Sequence, residues 1–153
     1  MLMKIMHTKL LLFKPFKKAN MTTINIKLEL QDEFLRDVLA TAVWYGSSYW
    51  AGFENPVMHQ GEHYKDYESI TVNDLGDDEE AKAKYEITLA KVAEGIERLI
   101  GRNFNSEESH AIPHVSYSAA MLRAAALGDA GNVDAEIADI VLQLACFGHI
   151  VYG

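Results

Sequence analysis

An apolar stripe of helical period runs up to a glycine at four places in this chain, Gly46, Gly101, Gly128 and Gly148, and that punctuation limits the fold more than any motif. Ahead of Gly46, Phe34, Leu35, Val38, Leu39, Ala42 and Val43 recur at helical spacing and Asp32 offers a cap oxygen, which predicts a helix over 33–45. Ahead of Gly101, the stripe Leu89, Val92, Ala93, Ile96, Leu99 and Ile100 predicts a second helix with Thr88 as its cap. Pro113 would break a helix begun at Ser106, so the alanine-rich third helix is placed over 114–127. The last runs over 133–147, with Ile137, Ile140, Val141 and Leu144 as its core stripe.

Alternation with a period of two marks the strands. Ile24, Ile26, Leu28 and Leu30 alternate with Asn25, Lys27 and Glu29, the clearest strand pattern in the chain. A weaker alternation over 64–72 sets Ile70 and Val72 against Tyr67, Ser69 and Thr71 and predicts a second strand. After an acidic turn at 73–80, Ala83, Tyr85 and Ile87 alternate with Lys82, Lys84 and Glu86, a third strand paired with the second. Residues 79–100 also fit one long helix through Ala81, Tyr85, Leu89, Val92 and Ile96, but Thr88 as a cap favours the strand. Residues 46–63, rich in glycine and polar side chains and containing Pro56, read as a connecting loop. The apolar tail 148–153 is expected to add an edge strand or pack under the sheet. The expectation is an α+β fold, a small three-stranded antiparallel sheet packed with about four helices, in a single domain over 21–153.

The charge is uneven. The formal net charge is −8, but residues 1–20 hold five lysines and no acid, so residues 21–153 carry −13. Such a field repels phosphate backbones, argues against direct nucleic-acid binding and favours a basic protein surface as partner. In residues 1–20 the longest apolar run, Leu10 to Phe13, is four residues, against roughly 7–15 in a secretory signal. No window approaches the roughly 20 apolar residues of a membrane span. Residues 1–20 are therefore expected to be a disordered arm or an extension upstream of Met21, with no membrane partner. The single Cys146 excludes an intramolecular disulfide and suits a reducing cytoplasm.

Few residue sets suggest chemistry. His59-Gln60-Gly61-Glu62-His63 has the spacing of a zinc-peptidase motif, but Pro56 and Gly61 deny it a helix. His110 and His114, with Cys146 and His149 downstream, lack a paired Cys-x-x-Cys and have Pro113 between them. The serines include no nucleophile elbow, and no glycine-rich phosphate loop is present. No catalytic residue, metal site or cofactor is assigned.

Two binding features remain. Trp44, Tyr45, Tyr49, Trp50 and Phe53 fall within ten residues and bring both tryptophans into one patch. These residue types dominate interface hot spots and stack on flat ligands. Trp44 and Trp50 are expected to cap the core, and Tyr45 and Tyr49 to be partly exposed. On the last helix Glu136, Asp139 and Gln143 form a polar strip that the apolar stripe places toward solvent. With Asp77, Asp78, Glu79 and Glu80 in the acidic turn, Asp139 and Gln143 are the candidate carboxylate and amide contacts for a partner.

The segments Asp37-Val38-Leu39, Ser48-Tyr49-Trp50-Ala51, Ile87-Thr88-Leu89 and Glu94-Gly95-Ile96 resemble a set of small hypothetical proteins of bacteriophages and prophages. The likeness is strongest in the C-terminal block, Asp129-Ala130-Gly131-Asn132-Val133-Asp134-Ala135-Glu136 through Leu142-Gln143 to Val151-Tyr152-Gly153, and covers about residues 24–153. No activity is attached to that set, so the resemblance implies a setting rather than a mechanism. It marks Trp50, Asp134, Asp139, Gln143 and Tyr152 as positions of interest. The function expected is a non-enzymatic accessory protein that covers a basic host-protein surface, such as that of a nucleic-acid-binding defence or replication enzyme, with carboxylates in place of phosphates. The alternative is a small-ligand or nucleotide-sequestering module built on the aromatic patch, and the oligomeric state is left open.

Overall fold

The computed structural model of the chain describes residues 26–59, 66–76 and 80–153. The fold is α+β: four helices and a three-stranded antiparallel sheet packed together as one body. In chain order these are α1 (Asp32–Thr41), β1 (Ala51–Met58), β2 (Tyr67–Asp74), β3 (Ala83–Thr88), α2 (Leu89–Gly101), α3 (Val115–Leu127) and α4 (Ala135–Phe147). A π turn (Ala42–Gly46) extends α1, and a 3-10 turn (Ala130–Asn132) precedes α4. No helix among the described residues is long and apolar enough to cross a membrane. The arm expected at 1–20 lies outside the described residues.

α4 is the axis of the core. Residues 137 to 144 are buried without interruption, so the helix is surrounded. Gly95 of α2 permits that: a Cβ there would run into the Val141 carbonyl oxygen and crowd Ala145. Burying Leu39, Ile96, Leu99, Met121 and Leu144 in the core contributes about 1.5–3 kcal/mol each. Local capping supports the same layout. Asp134 Oδ1 accepts from Ile137 N at the start of α4, Thr88 Oγ1 from Lys91 N at the start of α2, and Gly128 ends α3 in the left-handed conformation.

The sheet is a meander of order β1-β2-β3, with Phe53 opposite Val72 and Val72 opposite Tyr85. Tyr67, Ile70, Val72 and Ile87 face the helices. The strand at 83–88 is present, which rules out one continuous helix over 79–100.

Several of the sequence expectations are corrected. Residues 26–30 are not a strand: Leu28 and Leu30 are half-buried on the core, but the segment pairs with no strand among the described residues, and Ile24 and Asn25 lie outside them. The third place in the sheet belongs to 51–58, inside the expected loop. That strand lies at an edge and is irregular between Glu54 and Met58, which is where a sheet tolerates Pro56 and the positive φ of Asn55. In α1, Gln31 rather than Asp32 holds the cap position, without a side-chain hydrogen bond, and Asp32 and Glu33 instead complement the dipole from the first turn. α2 ends on Arg102, not Gly101, in the left-handed conformation. The tail 148–153 forms no strand; Ile150 is buried and Tyr152 half-buried against the core.

Candidate functional site

The widened end of α1 meets α4 at Gly46. A Cβ on Gly46 would lie 2.6 Å from the Ala135 carbonyl oxygen and 3.2 Å from Asp139 Cβ, so only glycine allows this approach. The π turn closes with Ser47 N donating to Ala42 O (2.9 Å) and delivers residues 47–50 to the side of α4.

There Asp139 gathers four donors. Its Oδ1 accepts from Ser47 Oγ (2.6 Å) and Trp50 Nε1 (2.7 Å), and its Oδ2 from Tyr49 Oη (2.9 Å) and Gln143 Nε2 (2.8 Å). One turn on, Gln143 holds the tail: its Oε1 accepts from Val151 N (2.9 Å) and Tyr152 N (2.8 Å), while Nε2 also donates to Tyr152 O (2.9 Å). The Tyr152 ring stacks on Trp50 at 5.3 Å between centroids and 13° between planes, and its hydroxyl donates to Asp74 Oδ1 (2.5 Å). Asp139 is 7% exposed and Gln143 0%. Asp139 and Gln143, read as solvent-facing, are therefore internal, because Ser47, Tyr49, Trp50 and the tail supply their partners, while Glu136 of the same strip is exposed as expected. Of the five positions marked by the resemblance, Trp50, Asp139, Gln143 and Tyr152 meet in this knot and Asp134 caps the helix that carries it.

A carboxylate whose four lone-pair positions are filled by protein donors has none left for a substrate proton or an ion. The acidities that the fold alters nearby all move away from neutrality. Tyr49 is pushed well above the ordinary phenol range by burial, then by the negative Asp139 and the bond donated to it. Tyr117 is raised chiefly by its hydrogen bond to Glu136, and Cys146 is pushed up to about 12 by burial and by Asp74 and Asp139.

Beside the knot lies a cleft of about 380 Å³, open to solvent, between the π turn, residues 111–114, the first turns of α3 and α4 and the tail. Tyr45 and Tyr49, 65% and 56% exposed, line it together with the exposed Ile112 and Glu136. Tyr117, Ile140 and Ile150 line its interior, and Asp139 is among its walls. His114 also borders it; its Nδ1 accepts from Ser116 N (3.2 Å) and caps α3.

The cleft takes some of the expected site residues and not others. Tyr45, Tyr49 and Asp139 are brought together, and both tyrosines are exposed as the pattern suggests. Trp50 is buried as expected, its indole N–H held by Asp139 Oδ1, whereas Trp44, carried on the π turn, is 48% exposed. Gln143 is behind the cleft rather than in it. Glu80 is exposed and away from it, and Asp77, Asp78 and Glu79 lie outside the described residues. His59 follows a strand and pairs with Glu68 (2.6 Å), so the zinc-peptidase spacing has no helix at its first histidine; His63 lies outside the described residues. The His149 ring lies 3.7 Å from Glu108 and 3.0 Å from the Phe147 carbonyl oxygen, and the His110 main-chain N–H donates to Ile150 O. Among the described residues, no group of three or more His, Cys, Asp or Glu side chains is placed to hold a metal ion. Ser47, Ile112 and Tyr117 carry no sequence signal of their own. No family model matches the chain, and no curated protein or solved structure matches it at a significant level.

Proposed function

We propose that this protein is a non-enzymatic binding module of the phage accessory kind, which holds a basic surface of a host protein against its tyrosine-rimmed, acidic cleft. The observation that carries the reading is the pairing of exposed Tyr45 and Tyr49 with Glu136 at one cleft mouth, in a chain whose residues 21–153 sum to −13. Exposed aromatics on a polar rim are the residue type that anchors protein interfaces, and a field of one sign steers the opposite charge toward them. The saturated Asp139 and the raised Tyr49, Tyr117 and Cys146 support binding rather than proton transfer or nucleophilic attack. Host cytoplasm is the setting this reading requires.

Calorimetry with an all-lysine octapeptide tests it. Affinity should fall on the order of tenfold between low and physiological salt, and Glu136→Lys or Tyr45→Ala should weaken it further. Binding indifferent to salt and to both substitutions overturns the reading. The second reading, a small-ligand module, draws on the cleft's size, about 380 Å³, within the ~300–1,000 Å³ of small-molecule sites. It requires instead that a neutral planar ligand such as a nucleoside quench protein fluorescence regardless of salt.

A further inference from the structure

Resting on that reading of the cleft, the geometry points to a more specific occupant: the guanidinium group of an arginine side chain, preferred over a lysine ammonium of the same charge. Four tyrosines, Tyr45, Tyr49, Tyr117 and Tyr152, line the cleft with two side-chain carboxyl groups, Glu136 and Asp139, a combination suited to an organic cation. The two kinds of cation differ in what they demand of it. An ammonium is a compact, strongly hydrated charge whose three donors each need an acceptor once water is displaced. Of the cleft's two side-chain carboxylates, one is already filled. Both Asp139 oxygens are occupied by Ser47, Trp50, Tyr49 and Gln143, and Glu136 is shared with the Tyr117 hydroxyl. A guanidinium is weakly hydrated, planar and content to lie on aromatic and apolar surface, with one edge toward a carboxylate. Aromatic and aliphatic surface is what the cleft supplies, from the tyrosines with Ile112 and Ile140. Glu136 is exposed at its edge and is the carboxylate placed to meet an incoming cation, while Asp139 adds negative charge from behind.

The test compares tetra-arginine with tetra-lysine by calorimetry on the full chain, at one low salt concentration, for the wild type, Tyr45→Ala and Glu136→Gln. The cage predicts arginine binding about tenfold tighter than lysine in the wild type, and loss of that preference in Tyr45→Ala, whose side chain is exposed enough to be removed without unfolding the protein. Glu136→Gln should weaken both peptides, since it removes charge and keeps shape. Equal affinity for the two peptides, with salt-sensitive binding of both, overturns the guanidinium assignment and leaves the acidic-surface reading standing. A preference for arginine that persists in Tyr45→Ala also overturns the assignment, because it would arise elsewhere on the surface. Failure of both peptides to bind overturns the assignment and the reading beneath it.

Discussion

Replacing Asp139 separates the knot from the rest of the core. In Asp139→Ala the hydroxyl of Ser47 (0% exposed) and the indole N–H of Trp50 (1% exposed) lose the acceptor they share, Oδ1. Tyr49 is exposed enough to turn to water, and Gln143 Nε2 keeps Tyr152 O, so the two buried donors dominate the cost. At about 1–3 kcal/mol for each unsatisfied donor, the loss is about 2–6 kcal/mol, against a total of roughly 5–15 for a domain of this size. Asp139→Asn is the discriminating variant. Its amide oxygen can still accept from Ser47 and Trp50, but its NH2 then faces Gln143 Nε2, donor against donor, at a cost of about 1–3 kcal/mol. Gln143 cannot relieve this by flipping, since its Oε1 is held by two backbone N–H groups of the tail. Urea unfolding followed by tryptophan fluorescence and circular dichroism measures both. The order expected is wild type, then Asn, then Ala. If Asp139→Ala stays within about 0.5 kcal/mol of wild type, as an ordinary surface substitution would, Asp139 is not the structural centre described above.

Gly46→Ala should cost about 1–3 kcal/mol, because the added Cβ meets a backbone carbonyl that cannot step aside, while Gly101→Ala, with nothing within 4 Å, should be neutral or slightly stabilising; paired melting curves compare them. Cys146, pushed up from an ordinary thiol near 9.0 to about 12, should resist a thiol reagent at pH 8 until urea unfolds the chain. Its neutral form is favoured by the fold, so its contribution to stability is complete below pH 9 and disappears as pH rises through about 12. Tyr49 follows the same sign. In the folded protein its phenolate should appear in the ultraviolet only above the ordinary tyrosine range, and Tyr49→Phe should remove one of these late transitions.

Local signals in the sequence survive into the structure where their partners are local. Thr88 caps α2, Gly128 closes α3 and the alternation at 83–88 makes a strand, each settled by residues within a few positions. The failures have long-range causes. Ile26, Leu28 and Leu30 alternate as a strand should, yet β2 has one free edge for a first neighbour and the segment from Ala51 takes it, despite containing Asn55 and Pro56. Asp139 and Gln143 read as solvent-facing because a periodicity argument sees only their own helix. Their burial depends on Ser47, Tyr49, Trp50 and the tail, which the π turn and Gly46 bring to α4. Tyr45 and Tyr49 stood out by residue type, but the cleft they border is assembled from four separate stretches of chain, a juxtaposition that no sequence window contains.

The proposed cationic occupant binds at the cleft beside the Asp139 knot. Amide chemical-shift mapping of the isotope-labelled chain during titration with tetra-arginine measures this directly. Shifts should concentrate at Tyr45, Gly46, Tyr49, Ile112, Tyr117 and Glu136. Shifts centred instead on the groove between residues 26–30 and α2, where Glu94 and Glu97 lie, or scattered over the acidic surface without a focus, would contradict it.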